Sequence, residues 1–512
     1  MRIKNSVSNI VFGLGNIFVC NILNFISRSV FIYVLGTKYL GVSGLFTNIL
    51  LMLSLSELGI GSAINFSLYK PIADKDINKI SILMSFYKKA YRIIGCVVAL
   101  LGFIMMFFLN YFIKDSVAIP DLKIIYLLFL FNTVSGYFMS YKNTLVSAYQ
   151  KDYTLVPINV SMSVIINLFQ ITNLLITKNY IAYITLQIIL SFVQRVIINF
   201  VINKRYSYVN FKCTEKLPQE ELNTITKNVK AMFFHKIGEY CVLGTDNIVI
   251  SAFIGITTVG IYSNYNMLIT TVNTIIMIVF DSTSASFGEL IAKESNQKKH
   301  DTFKVLYFLG FWIFGFAAIC FYNLLSPFIY LWLGESYLVA SSVIIPITIN
   351  YFIVGMRVPL SIVKMSGGVY SQDKFVPLIQ SAINLFFSVL LVRHIGLAGV
   401  FWGTVISCIV PFIYRPYVVY KYIFQHTCKS YFKKYFSYTL VFSINLILTS
   451  FLCSTLFHGN SWTDFIGRCF LCFTIPNLII VLFYMNNYEF RQIAAIIMNI
   501  KGGIVKWKRK LA

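Results

Sequence analysis

Eight ionisable side chains sit in stretches otherwise rich in Leu, Ile, Val and Phe: Arg28, Glu57, Lys142, Arg195, Glu239, Asp246, Asp281 and Arg357. A charged group at the centre of a membrane-crossing helix costs roughly 2.5–3.5 kcal/mol on insertion scales, so each needs a reason. Two kinds of chemistry are open to them. Guanidinium and ammonium groups bind anionic oxygens, the guanidinium fork in bidentate fashion. A desolvated carboxylate either rises in pKa or is held ionised by a nearby arginine, and either state suits it to take up a proton or a sodium ion. Each group also has a structural alternative: a closed ion pair, or a long side chain snorkelling to the interface.

The elements that must carry these groups are bilayer-crossing helices. The chain has 512 residues, 57% hydrophobic and 12% charged, about half the charged share of a soluble protein, and its mean hydropathy is +0.73. Apolar runs recur at the length needed to cross a ~30 Å hydrocarbon core as helix, and no period-2 alternation suggests an outer-membrane barrel. The expectation is an all-α integral membrane protein with about 14 transmembrane helices, near residues 9–35, 39–68, 90–113, 122–148, 154–177, 181–203, 229–254, 258–288, 303–333, 338–364, 375–393, 397–423, 434–456 and 464–486.

The net charge of +24 lies in short loops, which reads as membrane topology and not as a nucleic-acid surface. One set of alternating loops holds most of the Lys and Arg, including Lys70, Lys75, Lys79, Lys204, Arg205, Lys421 and Lys433; the other holds Lys38, Lys114, Lys178 and Arg393. The positive-inside rule then puts both termini in the cytoplasm and the first helix as an uncleaved span. The loops are too short to hold a catalytic domain. The longest inner loop, residues 203–227, reads as a linker between two bundles, and residues 80–95, with Lys88, Lys89 and Arg92, as an interfacial helix. Cys469 and Cys472 lie in a span without further ligands and read as ordinary apolar cysteines; "DKD" at Asp74–Asp76 reads as a solvated turn. Prolines 157, 346, 359, 411 and 476 fall in spans and suggest kinks.

An internal repeat organises the chain. "LGTKYLGVSGLFTN" (35–48) lies over "IGITTVGIYSNYNM" (254–267), matching Gly36 and Gly41 to Gly255 and Gly260 at an offset of 219 residues (255 less 36). The same offset lays "KPIADKDINK" (70–79) over "ELIAKESNQK" (289–298). Six helices separate the copies, so both enter the membrane the same way round, as a parallel repeat. The expected domains are an N-lobe at 1–215, a C-lobe at 216–430, and a final helix pair with a basic tail at 431–512.

Within that frame Arg28 lies about eight residues from Gly36, roughly 12 Å deep. Asp246 and Asn247 fall on Ser27 and Arg28 under the repeat, so one copy offers a cation where the other offers a carboxylate. Glu239 shares a helix face with His235 and Lys236, either an ion-pair cluster at the inner rim or a gate or relay. Glu57 precedes "LGIG", and Asp281 sits among hydroxyls that could satisfy it.

The segments "YLGVSGLFTNILLMLSLSELGIGSAI", "TDNIVISAFIGITTVGIYSNYN", "FYNLLSPFIYLWLG", "GMRVP" and "GVFWGTVIS" resemble the Wzx-type polysaccharide flippases of the multidrug/oligosaccharidyl-lipid/polysaccharide (MOP) exporter superfamily, over roughly residues 5–430. The resemblance implies a MATE-like and lipid-flippase-like fold: two six-helix lobes plus two C-terminal helices. It implies an undecaprenyl-diphosphate-linked glycan as cargo, moved from the inner to the outer leaflet of a bacterial cell membrane, with a polysaccharide polymerase and glycosyltransferases as partners. In related lipid II flippases a first-helix arginine lines the central cavity, and Arg28 matches it by helix position. A diphosphate headgroup calls for several cations, which makes Arg28, Lys142, Arg195 and Arg357 the expected substrate-binding set. Asp246, Glu57, Glu239 and Asp281 are the expected ion-coupling set, for H+ or Na+, with no cofactor and no metal. The rivals are a lipid II flippase, a MATE-type drug/cation antiporter, and a membrane glycosyltransferase or polymerase; an enzyme is not expected.

Overall fold

The computed structural model describes residues 2–54, 60–113, 119–211, 213–215, 217–369, 372–496 and 498. Nearly all of them are helical, as apolar runs in lipid require: a helix satisfies every backbone N–H and C=O within its own segment. The chain divides into two compact units, Met1–Ser263 and Asn264–Ala512.

The first unit contains α1 (Arg2–Leu53), α2 (Ile60–Asp74), α3 (Ile77–Met105), α4 (Leu109–Phe112), α5 (Leu122–Met139), α6 (Asn143–Ala148), α7 (Val156–Thr177), α8 (Tyr180–Arg205) and α9 (Gln219–Phe253), and the start of α10 (Ile256–Lys293). Within it α1 packs on α7 and α9, α3 on α5, and α5 on α8. One of its cores gathers Ile64, Leu68, Leu83, Met84 and Tyr87 with Leu145, Ile202, Tyr206 and Val209 at the Lys/Arg-rich end.

The second unit contains the rest of α10, then α11 (Asn296–Leu333), α12 (Ser341–Ser366), α13 (Val376–Ile395), α14 (Leu397–Ser407), α15 (Ile409–Val419), α16 (Lys429–Leu456) and α17 (Trp462–Tyr484). Here α11 is the hub, packed against α12, α16 and α17. Lipid supplies no hydrophobic drive between helices, so close packing must hold them together. Stacked rings provide it: Phe352 on Phe442 at 4.0 Å and Phe311 on Tyr438 at 4.4 Å. Trp312 adds a hydrogen bond across to Asn477 Oδ1 at 2.8 Å.

Among the described residues twelve helices are long and apolar enough to cross a membrane. One of them, Val19–Leu53, takes in most of the expected span 9–35 and the first half of 39–68, on either side of Gly36, which breaks the helix at φ 76°, ψ 179°. The expected span at 229–254 lies in α9, whose polar first half lowers its mean hydropathy. The chain is therefore a multi-pass membrane protein of all-α fold.

Three local expectations are corrected. Residues 80–95 do not form a separate interfacial helix; they are the first half of α3, which runs unbroken for 29 residues. At 1.5 Å per residue that is about 44 Å, longer than a ~30 Å core, so the basic end of α3 projects beyond it. The 203–227 segment is no loose linker, since it is clasped to α3. Ser81 Oγ accepts from Asn210 N at 3.0 Å, Ser85 Oγ accepts from Cys213 N at 2.9 Å, and Lys79 pairs with Glu221 at 2.5 Å. Pro157 does not kink a span but starts one, at the first turn of α7, where a missing N–H costs no hydrogen bond.

The repeat is visible in local geometry. Gly36 and Gly255 both take positive φ, 76° and 142°. Asp76 caps α3 by accepting from Lys79 N at 2.9 Å, and Ser295 caps α11 by accepting from Lys298 N at 3.4 Å. These caps stand 219 residues apart (295 less 76), and the short side-chain oxygens of Asp and Ser do the same work there.

Candidate functional site

Within the first unit the two copies of the repeat touch each other. A Cβ at Gly41 would lie 2.0 Å from the Ile256 carbonyl oxygen, and a Cβ at Gly260 would lie 2.0 Å from the Thr37 carbonyl oxygen. The backbone nitrogen of each glycine lies 3.1 Å from the place where the other's Cβ would stand. Thr37 and Ile256 are themselves equivalent under the offset. Each contact thus has its reciprocal, the mark of a two-fold relation between these two short segments. Only glycine allows two backbones this close.

Arg28 is tied to this crossing. Its guanidinium Nη2 donates to Ser263 Oγ, and the Ser263 hydroxyl donates in turn to the Gly260 carbonyl at 2.7 Å. Tyr183 on α8 hydrogen-bonds Ser27 and lies within electrostatic reach of Arg28. Phe31 packs edge-on against Tyr180 and Tyr183. Arg28 of α1 thus faces a hydroxyl on α10 and a phenol on α8. The serine and the tyrosine were not anticipated: neither residue type stands out in an apolar sequence, and only the crossing brings them to Arg28.

The repeat-equivalent of Arg28 is Asn247 on α9. Its Oδ1 is buried with no hydrogen bond among the described residues, as is the Oγ of Ser251 one turn further on. Asp246, the residue before Asn247, is half-buried, and its charge reaches Tyr262 on α10. Buried acceptor oxygens without donors are suited to a proton donor or a small cation.

The other expected residues lie in different settings. Arg195 joins α8 to α5: Nη1 donates to Ser135 Oγ at 2.6 Å and to the Asn132 carbonyl at 3.2 Å, and Nη2 to Asn132 Oδ1 at 2.9 Å. Lys142 stands beyond the basic end of its span, Leu122–Ser140, where it donates to Asn203 Oδ1 at 2.7 Å and covers the Phe211 ring at 4.8 Å. Arg357, in the second unit, is only 7% exposed. Its Nη2 reaches Cys408 Sγ at 3.6 Å, and its Nε and Nη1 have no partner among the described residues. The phenols of Tyr431 and Tyr435 lie within electrostatic reach. Asp281 is exposed on α10. The neighbouring hydroxyls do not serve it: Ser282 donates to the Val279 carbonyl at 2.6 Å and Thr283 to the Phe280 carbonyl at 2.7 Å. Glu57 and the side chain of Glu239, with those of His235 and Lys236, lie outside the described residues. No group of three or more His, Cys, Asp or Glu suited to a metal occurs among the described residues.

The sequence also left unread a buried charge cluster in the second unit. Lys364 Nζ pairs with Asp373 Oδ2 at 2.6 Å, both almost fully buried, and Arg415 Nε lies 3.9 Å from the same oxygen. Spacing alone does not reveal it, because the partners come from α12, the loop after it and α15.

Known proteins were compared by sequence and by structure. No protein-family model matches the chain, and no curated protein matches it by sequence. Solved structures do match. The lipid II flippase MurJ in an inward closed conformation superposes with a TM-score of 0.64 at 15% identity, covering 93% of this chain and 99% of that one. An inward-facing multidrug resistance MATE family transporter of the MOP superfamily gives 0.61 at 14% identity, covering 77% and 93%. A point mutant of the Vibrio cholerae MATE transporter VcmN gives 0.55 at 13% identity, covering 83% and 98%. At these identities the likeness is one of fold, and it is the lobed fold expected from the repeat.

Proposed function

We propose that this chain is a flippase of the MOP superfamily that carries a polyprenyl-diphosphate-linked oligosaccharide from the inner to the outer leaflet of a bacterial cell membrane, for assembly of a surface polysaccharide. The observation that carries the reading is Arg28: a guanidinium at membrane depth, anchored through Ser263 to the crossing of the two repeats, in a fold shared with a lipid flippase. A diphosphate entering a low-dielectric site needs cations to replace its water. Arg28, Arg195, Arg357 and Lys142 are the proposed contacts. The prenyl tail stays in lipid while the headgroup passes between the lobes by alternating access. Asp246, with the acceptor oxygens of Asn247 and Ser251, is the proposed coupling site for H+ or Na+; Glu57, Glu239 and Asp281 are the further candidates. The N-lobe at 1–215, the C-lobe at 216–430 and the final pair at 431–512 remain the proposed division, with both termini cytoplasmic and polysaccharide polymerase and glycosyltransferases as working partners.

The MurJ likeness also favours a second reading, lipid II itself as cargo. A MATE-type drug/cation antiporter is less well supported, because the spans carry several cations of their own. The test is translocation in sealed vesicles holding the purified chain and a defined lipid-linked oligosaccharide, with lipid II in a parallel series. Acceleration of the oligosaccharide by the wild type and not by Arg28→Ala supports the proposal. Acceleration of lipid II alone replaces it with the second reading.

A further inference from the structure

The segment clasped to α3 builds an open hollow on the surface of the first unit. About 420 Å³ in volume, it is lined by Lys88 of α3, Tyr141 and Lys142 beyond α5, Asn203 of α8, and Ser207 and Phe211 of the clasped segment. No carboxylate lines it among the described residues. Two ammonium groups therefore converge on one concave surface without an acidic neighbour in the lining. Like charges brought together repel, and nothing in membrane topology requires it: the positive-inside rule asks for cations on one side, not in one pocket. The pocket is also built to hold them. Asn203 Oδ1 accepts from Lys142 Nζ at 2.7 Å, the Phe211 ring lies under it at 4.8 Å, and Lys88 Nζ reaches the Phe211 carbonyl at 3.4 Å. The ammonium of Lys142 is pushed below an ordinary lysine by desolvation and then by the charge of Lys88, a burden that a bound anion would relieve.

We infer that this pocket binds a phosphate group, with Lys88 and Lys142 as the paired cations and Asn203 holding Lys142 in place. The site belongs to the first unit and shares Lys142 with the proposed headgroup contacts; its binding test uses probes that carry no glycan, so its failure and the failure of the proposed function are distinguishable. A phosphate could arrive on an anionic lipid, since the pocket lies at the membrane's basic edge, or as free phosphate from the cytoplasm.

The full-length chain, purified in detergent, is titrated by native mass spectrometry with phosphatidic acid, and separately with inorganic phosphate. The wild type is expected to take up one of them saturably. Lys88→Gln and Lys142→Gln are each expected to weaken that binding about tenfold, the loss of one charge-assisted hydrogen bond. Lys89→Gln, which removes an equal charge from an exposed site outside the pocket, should leave it unchanged. Binding by inorganic phosphate that displaces the lipid identifies free phosphate as the ligand; binding by the lipid alone identifies a headgroup. Ser207→Trp fills the pocket while keeping both lysines and should abolish binding, and Lys142→Arg should retain it; these two decide the matter if the glutamine variants fail to fold. The inference is overturned if neither probe binds saturably, if Lys89→Gln weakens binding as much as the pocket variants, or if Ser207→Trp binds like the wild type.

Discussion

The most exposed consequence of the repeat is the fate of Gly41→Ala. Its new methyl would sit 2.0 Å from the Ile256 carbonyl oxygen, whereas side-chain carbons essentially never come within 3.0 Å of a neighbour. The two backbones must part by about 1 Å, and no rotamer can relieve the clash, because the opposing atom is main chain. Overpacking of this kind costs about 1–3 kcal/mol, and a rigid neighbour puts the value near the upper end. Alanine recovers about 1 kcal/mol over glycine in a helix. The net expectation is a loss of about 2 kcal/mol. Gly260→Ala should cost about the same, since it meets the Thr37 carbonyl at an equal distance. The double variant should cost clearly less than the sum, because the first substitution has already parted the helices that the second would push; a coupling of about 1 kcal/mol is expected for residues in direct contact. Equilibrium unfolding of the purified protein in mild detergent, followed by near-UV circular dichroism, measures all three. Additive losses would mean that the glycines act at separate places, and a stable Gly41→Ala would mean that the crossing is not this tight; either result would refute the reciprocal contact.

Three further outcomes follow from the charged groups. Arg357→Met removes a buried cation whose Nε and Nη1 have no partner among the described residues, so thermal stability should hold or rise by about 1 kcal/mol, while vesicle translocation of the lipid-linked oligosaccharide falls at least tenfold; unchanged translocation removes Arg357 from the proposed headgroup contacts. Asp246→Asn should leave the protein in the membrane but abolish the dependence of translocation on an imposed ion gradient, and a retained dependence clears it of coupling. Asp373→Asn strips the counter-ion from the buried Lys364 and from Arg415, so unfolding should become easier by about 3–5 kcal/mol; a loss under 1 kcal/mol would show that water or another group already serves those cations.

Much of the architecture was legible because lipid imposes one rule on every span. Apolar length marked the helices, glycine marked the breaks at Gly36 and Gly255, and a constant offset revealed the repeat, down to equivalent caps at Asp76 and Ser295. These are local properties of the chain, set by backbone hydrogen bonding and steric freedom within a few residues. The reading failed where a segment is held by distant partners. Residues 203–227 are polar and read as a linker, yet Ser81 and Ser85 clasp them to α3; two serines in an amphipathic helix carry no such message by themselves.

The candidate site divides the same way. The sequence by itself marked which charges fall in apolar stretches, because residue type and run length are local, although Lys142 stands beyond the end of its span, Leu122–Ser140. Only the tertiary structure decided what each one meets. Arg28 leans on Ser263, 235 residues away, and Arg195 meets Asn132 and Ser135. Lys142 turns toward the clasped segment, and Arg357 is buried against Cys408. A side chain's partners depend on which helices cross and at what height, and that is set by packing summed over whole helix faces. In Gly41 and Gly260 the two levels coincide: the offset that pairs them in the sequence is the contact that joins them in the fold.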